Sequence, residues 1–126
     1  MEHEDLTHKI IGCAYKVFNQ LGYGFLESIY CKAIIIELQK AGLAFEEEMP
    51  FEVYYDDIVI GKFSLDLFVE NTIVVELKSV QSLLIEHELQ LVNYLKGLRK
   101  DIGLLINFGP SGVGVKRKFK EFDKGE

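Results

Sequence analysis

Three charged residues on two neighbouring apolar segments have the types and spacing of a divalent-metal site. Glu76 and Lys78 stand two positions apart in a predicted strand, so their side chains project from the same face. Asp66 lies in the preceding predicted strand, and a tight turn at 70–71 would bring it beside Glu76. Two adjacent carboxylates repel unless a proton or a cation lies between them, and oxygen ligands suit Mg²⁺ or Mn²⁺ better than zinc. The spacing alone leaves open a plain salt bridge of Lys78 with either acid.

A third carboxylate, Glu27, is predicted near the start of a helix. It is in register with Tyr30, Cys31, Ile34 and Leu38, which form the apolar face of that helix. This places a carboxylate at the head of a stripe that faces the core. The helix dipole by itself also favours Glu in a first turn, so a metal-binding role and a structural role both stay open.

Two polar residues of a later helix, Gln90 and Tyr94, lie one turn apart and can act together at the edge of a site. They share a stripe with His87 and Gly97. A separate, apolar stripe contains Leu91, Val92, Leu95 and Leu98. Helix amphipathicity alone would also produce this arrangement.

The elements that must position these residues are predicted in the order α-α-β-β-β-α-β. Apolar periodicity indicates two helices, at about 6–21 and 26–39, that pack as a hairpin. Runs rich in Val, Ile, Phe and Tyr predict an antiparallel meander of three strands at 45–55, 58–69 and 73–80.

The remaining part of the chain is predicted to complete a mixed sheet. Helical periodicity returns at about 85–100, and the apolar run 102–108 indicates a buried strand. A right-handed crossover places that strand parallel to the third strand. An alternation of apolar and polar residues predicts an additional edge strand at Val115, Arg117, Phe119 and Glu121.

The composition fits one globular α/β domain over residues 1–126, because 48% of the residues are apolar. No apolar stretch approaches the roughly 20 residues that cross a bilayer, and the first residues are acidic where a secretory signal would be basic. We therefore expect a cytoplasmic protein without a membrane partner. Cys13 and Cys31 lack the spacing of zinc ligands, so we expect both to be small core thiols.

The net charge of −6 argues against a protein that coats nucleic acid by bulk electrostatics alone. Acidic residues are concentrated at 46–57, and a basic run contains Lys116, Arg117, Lys118, Lys120 and Lys124. A solvated face explains either run. For the basic run, an edge that contacts phosphates is the alternative.

Three of these motifs resemble a known family. Gly24 to Tyr30 reads G-x-x-E-x-x-Y, similar to the signature of the GxxExxY proteins, a branch of the PD-(D/E)XK nuclease superfamily. Asp66 with Glu76-Leu77-Lys78 resembles the catalytic core of that superfamily. Gln90 to Tyr94 resembles the QxxxY motif of its RecB-like members.

With the strand at 103–109 and Lys116-Arg117, the resemblance covers nearly the whole chain, in the order of the family. Leu65 departs from it, because the superfamily often has proline there. Ser64 stands where many GxxExxY proteins would have a basic residue. The first departure is harmless, whereas the second weakens an expected phosphate contact.

The resemblance implies a restriction-endonuclease-like fold, a mixed sheet flanked by helices, and a metal-dependent nuclease. By resemblance, Asp66 and Glu76 bind Mg²⁺ (or Mn²⁺) together with the Leu77 carbonyl, and Glu27 joins directly or through water. Lys78 then orients or activates the attacking water.

The resemblance also implies that Gln90 and Tyr94 steady water or substrate, and that the partner is nucleic acid, DNA ahead of RNA. The small size of the chain leaves room for a homodimer or a partner protein that helps to hold substrate. A second hypothesis is a non-catalytic nucleic-acid or protein-binding module that keeps the fold, motivated by the acidic net charge and by Ser64. The retained acids argue against it, because buried carboxylates without a metal reduce stability.

Overall fold

Two helices begin the chain and one returns later, between strands of a single sheet. The computed structural model describes residues 3–120. Within them the elements are α1 (Glu4–Leu21), α2 (Glu27–Lys40), β1 (Phe45–Tyr55), β2 (Ile58–Val69), β3 (Ile73–Lys78), α3 (Ile85–Leu98), β4 (Ile102–Gly109) and β5 (Gly112–Phe119). The predicted order is confirmed, with β5 added at its end.

The strands form one mixed sheet in the order β1-β2-β3-β4-β5. The first three make the predicted antiparallel meander, and α3 crosses over so that β4 pairs parallel to β3. The predicted edge strand is β5, which pairs antiparallel to β4. Glu121, assigned to that strand from the sequence, and Lys124 lie outside the described residues.

The two turns of the meander have the backbone geometry that their residues favour. Asp56 and Asp57 have φ of 50° and 64°, and Glu70 and Asn71 have φ of 53° and 52°. Two successive residues with positive φ make the tight turn that matches the twist of a hairpin. The second turn sets the register of β2 on β3, with Val69 opposite Ile73.

Apolar side chains cover both faces of the sheet. Helices α1 and α2 pack on one face, where Leu104 and Ile106 point. Helix α3 packs on the other, where Leu91 and Leu95 contact Leu105. Alternation along β4 therefore supplies both layers of the core, and every residue of β4 is buried.

Some element boundaries and the burial of one cysteine differ from the sequence-based predictions. Strand β3 ends at Lys78 rather than at residue 80, and α3 ends at Leu98 because Arg99 has a left-handed φ of 54°. Cys13 is a buried core thiol as expected, whereas Cys31 is only partly buried. In the described part of the chain, no helix is long and apolar enough to cross a membrane.

Candidate active site

Asp66 and Glu76 lie together where β2 and β3 separate. The last backbone pair before this point is Leu67 with Val75. Beyond it the side chains take over the pairing: the Asp66 N–H donates to Glu76 Oε1 at 3.2 Å, and the Leu77 N–H donates to Asp66 Oδ2 at 2.8 Å. These two bonds hold both carboxylates at one point, as the predicted register implied.

Glu76 is unusual because it is an ionisable residue that is buried, with only 7% of the residue exposed. Burial, and next the charge of Asp66, raise the pKa of Glu76 to about 8, against a smaller opposing effect of Lys78. The pair therefore favours a shared proton or a cation over two free negative charges.

Lys78 lies on the same face of β3 as Glu76 and is partly buried. Val74, two positions before Glu76, packs in the layer under α3, so this face is the one that α3 covers. The structure therefore brings together the three residues that the D…ExK spacing singled out.

Glu27 is placed differently from its neighbours in the apolar stripe. Tyr30, Ile34 and Leu38 are buried as predicted, whereas Glu27, the first residue of α2, is exposed. The stripe is thus confirmed at these three positions, whereas Cys31 is only partly buried and Glu27 lies outside the core.

One hydrogen bond and one electrostatic effect nevertheless indicate that the start of α2 lies near the acid pair. Ser79, the residue after Lys78, donates from its hydroxyl to the Phe25 carbonyl at 2.8 Å. Burial raises the pKa of the Cys31 thiol to about 11, and Asp66 is the largest of the charges that add to this effect. Cys31 lies one turn after Glu27, so the first turns of α2 flank the site.

Tyr30 has a structural role that the sequence did not reveal. Its hydroxyl donates to the Gly22 carbonyl and accepts a bond from the Phe25 N–H at 3.4 Å. Its ring stacks on Phe108 of β4 with centroids 4.2 Å apart. Tyr30 therefore closes the loop between α1 and α2 and anchors it to the sheet.

Tyr94 of α3 lies close enough to the acid pair to be affected by its charges. Its ring contacts Phe51 and Phe63, and its pKa is raised by burial and then by the charges of Glu76 and Asp66. Gln90 is exposed and lines a groove of about 850 Å³ that Tyr94 also lines. His87 belongs to the end of the helix instead, because its Nδ1 accepts the Leu84 N–H at 3.0 Å.

Asn107 is a further residue of this region that sequence reasoning missed. It is buried, its Oδ1 accepts the Val80 N–H at 2.9 Å, and its Nδ2 donates to the Val80 carbonyl at 3.0 Å. The side chain thereby replaces backbone pairing just after Lys78. A single Asn in an otherwise apolar strand was the available signal.

The donors of the site suit a hard cation that keeps part of its water. Among residues 3–120, no group of three or more His, Cys, Asp or Glu side chains could hold a metal ion. Mg²⁺ usually binds one or two carboxylates together with water and substrate phosphates, without a full protein cage. The paired oxygens of Asp66 and Glu76 meet that requirement.

Comparisons with known proteins agree with the fold. A family model described as the PD-(D/E)XK nuclease superfamily matches residues 4–118. A solved structure titled "Crystal structure of SSO0001" aligns with a TM-score of 0.60 and 23% identity over 79% of this chain and 52% of that one. The chain thus spans about half the length of that structure, and the likeness concerns the fold. No curated protein matches the chain.

Proposed function

The chain belongs to the PD-(D/E)XK nuclease superfamily, and from this premise we propose that it is a divalent-metal-dependent nuclease that hydrolyses nucleic-acid phosphodiester bonds. The observation that supports the proposal most directly is the reciprocal bonding of Asp66 and Glu76, with Lys78 on the same face. The mixed sheet between helices agrees with the restriction-endonuclease-like fold of this superfamily.

Nucleases of this superfamily generally use divalent metals, and the acid pair is where Mg²⁺ or Mn²⁺ would bind. Asp66 and Glu76 would hold it with the Leu77 carbonyl, and Glu27 would join directly or through water. When bound, such an ion polarises a phosphoryl oxygen and lowers the pKa of a bound water. Its positive charge would also offset the charge of Asp66, which after burial is the second cause of the raised pKa of Glu76.

The side chains around the acid pair have separate tasks in this proposal. The Lys78 ammonium orients the attacking water and stabilises the negative charge that develops on the phosphorane oxygens. Tyr94 and Gln90 steady water or substrate from α3. Ser79 and Asn107 fix the backbone after β3, and hence the position of Lys78.

We also propose, at a finer level, that the chain is a GxxExxY protein of the RecB-like branch. The bonds of Tyr30 support the first part, since they give the last residue of the signature a structural purpose. The position of Tyr94 near the acid pair supports the second.

The test combines thermal unfolding in millimolar Mn²⁺ with cleavage of defined single- and double-stranded DNA and RNA. The wild type should gain stability with the metal and cleave. Asp66→Asn and Glu76→Gln should fold but lose the metal-induced gain, because each loses a ligand charge. Glu46→Gln, a change at an exposed acid, is the matched control and should keep it.

Lys78→Ala separates metal binding from catalysis. It should keep the metal-induced gain in stability and lose cleavage, because Lys78 acts on water and on the developing charge. A wild type that binds nucleic acid, cleaves none of the substrates and shows no metal-induced gain would favour the non-catalytic module. Undiminished cleavage by Lys78→Ala would remove that residue from the mechanism.

A further inference from the structure

A second groove, of about 410 Å³, lies between the loop after β3 and the β4–β5 hairpin. We call it the hairpin groove, and its lining consists of residues 81–83, 107 and 109–116. Asn107 belongs to its lining and at the same time bonds the backbone of Val80, so the start of the loop wall is fixed to the sheet. The groove is therefore built on a rigid base.

The charge of the hairpin groove differs from that of the protein. The chain has a net charge of −6, yet the groove lining, all of it within the described residues, contains no Asp or Glu. Its polar members are the hydroxyls of Ser82 and Ser111, the amides of Gln81 and Asn107, and the ammonium of Lys116. Hydroxyl and amide donors with one cation are complementary to an anion.

Glu88, an acidic residue of α3 near Lys116, is already paired with a base. Lys118 of β5 contacts Glu88 with Nζ and Oε1 2.6 Å apart, and this bond lowers the pKa of Glu88, as the nearby charge of Lys116 does more weakly. Because Glu88 is paired with Lys118, Lys116 gives the groove lining a positive charge.

Gly114 lines the groove and contributes no side chain to it. Its φ lies outside the left-handed region, and an added Cβ would meet only the Asn107 Cβ at 4.0 Å, an ordinary contact. Neither backbone conformation nor crowding therefore requires glycine there, although glycine weakens a strand. A side chain at this position would instead occupy the space of the groove.

The hairpin groove lies on the same face of the sheet as the acid pair. In register, Lys78 pairs with Asn107, and Asn107 with Gly114. Two residues along each strand, and therefore on the same face, Glu76 pairs with Leu105, and Leu105 with Lys116. Two strand spacings place Lys116 about 10 Å from Glu76. Measured along the helix axis, about three nucleotides of one strand of a duplex cover that length.

We propose that the hairpin groove binds a backbone phosphate of the nucleic-acid strand, a few nucleotides from the bond that is cleaved. Lys116 supplies the charge, Ser82 and Ser111 supply hydroxyl donors, and Gly114 leaves the space for the phosphate. This inference rests on the proposed function, because one substrate strand would have to reach both the groove and the acid pair.

Binding in the absence of metal tests the groove separately from cleavage. The probe is a fluorescein-labelled DNA oligonucleotide, titrated in EDTA at salt concentrations from about 50 to about 200 mM. Lys116→Ala should weaken binding about three- to tenfold and reduce the slope of log affinity against log salt by about one. Lys62→Ala, at an exposed lysine of the distant β1–β2 hairpin, should leave the slope nearly unchanged.

Gly114→Val gives the sharper test, because we expect it to maintain or raise thermal stability and to lower affinity for the oligonucleotide. A β-branched residue suits a strand, so the thermal midpoint should hold or rise while affinity for the oligonucleotide falls. Gly114→Ala is a smaller change of the same kind for the case that the valine variant does not fold. The control is Gly12→Ala, at an exposed helical glycine whose added Cβ meets no atom within 4 Å; it should raise stability and keep affinity.

The outcomes separate this inference from the proposed function. Weaker binding by the groove variants supports the groove even if the wild type cleaves nothing. Wild-type affinity in both Lys116→Ala and Gly114→Val overturns it, whether or not the protein cleaves DNA. The inference is also overturned if inorganic phosphate raises the thermal midpoint of the wild type but not that of Lys116→Ala, while the oligonucleotide does not bind.

Discussion

At the scale of single residues, the site depends on side chains that replace backbone hydrogen bonds. Where β2 and β3 separate, the Glu76 carboxylate accepts the Asp66 N–H, and the Asp66 carboxylate accepts the Leu77 N–H. Partnering in this way makes burial of a carboxylate tolerable, since an unsatisfied buried polar group costs about 1–3 kcal/mol. The remaining repulsion between the two acids is what a cation would remove.

The first prediction concerns pH. The pKa of Glu76 is raised in the folded protein from 4.5 to about 8, so the folded state binds more protons than the unfolded state in this range. Stability from this group is therefore complete below about pH 4.5 and is lost as the pH rises toward about 8.

Thermal midpoints of the metal-free protein should consequently fall between about pH 5 and about pH 8. Glu76→Gln removes the titrating group, so its midpoint should change much less over the same range. A wild-type midpoint that rises with pH in EDTA would contradict the assignment of this pKa to burial beside Asp66.

The second prediction separates the two roles open to Glu27. Glu27→Gln should lower stability by no more than about 1 kcal/mol, the usual value of a first-turn acid on a helix dipole. Mn²⁺-dependent cleavage should fall clearly, because the first turns of α2 flank the acid pair. Glu4→Gln is the matched control, since Glu4 is an exposed acid in the first turn of α1. Identical behaviour of the two variants in both measurements would return Glu27 to a purely structural role.

At the scale of elements, the connection between α1 and α2 determines how α2 meets the sheet. Gly22 ends α1 with a left-handed φ of 69°, and Tyr30 then bonds both Gly22 and Phe25. Ser79 links the same loop to the end of β3. Residues distant in sequence thus hold the loop before Glu27 against the strand that contains Lys78.

Tyr30→Phe tests this connection, because it removes the hydroxyl and retains the ring that stacks on Phe108. We expect a loss of about 1–3 kcal/mol in the free energy of unfolding, since two backbone groups lose their partner. Amide hydrogen exchange at residues 22–26 should become faster, and cleavage should fall. Tyr23→Phe, at an exposed tyrosine of the same loop, should change none of these; equal effects of both variants would contradict the role of Tyr30.

At the scale of the whole molecule, the two apolar layers share one sheet. Neighbouring residues of β4 face opposite layers, and Gly103 lets Leu91 of α3 approach so closely that an added Cβ would lie 2.8 Å from it. Because α3 and the α1–α2 pair cover opposite sides of the same central strands, we expect the chain to fold as one cooperative unit.

Urea unfolding followed by far-UV circular dichroism and by tyrosine fluorescence should therefore show a single coincident transition. Ile34→Val, in the layer of α1 and α2, should lower stability by about 0.5–1.5 kcal/mol, and Leu95→Ala, in the layer of α3, by about 2–5 kcal/mol. Each should shift the entire transition, and their effects should add, because the sheet separates them. Two transitions, with each variant affecting one, would show that the layers unfold separately.

Much of the fold was predictable from the sequence because local patterns encode it. Helical and alternating periodicities located the elements, and the two-residue turn at 70–71 was sufficient to place Asp66 opposite Glu76. The types of these two acids and of Lys78 indicated a metal site. Roles for Gln90 and Tyr94 came from family resemblance and remain proposals.

Other features were decided only by the tertiary structure, because they depend on contacts between residues far apart in the chain. The Asn107 side chain bonds the backbone of Val80, 27 positions away, just after β3 ends at Lys78. No periodicity in the sequence encodes this contact. Ser79 bonds Phe25 across 54 positions and thereby locates Glu27. The hairpin groove likewise forms only when the loop after β3 lies beside the β4–β5 hairpin, because its walls come from these separate segments. Part of its space is present because Gly114 has no side chain.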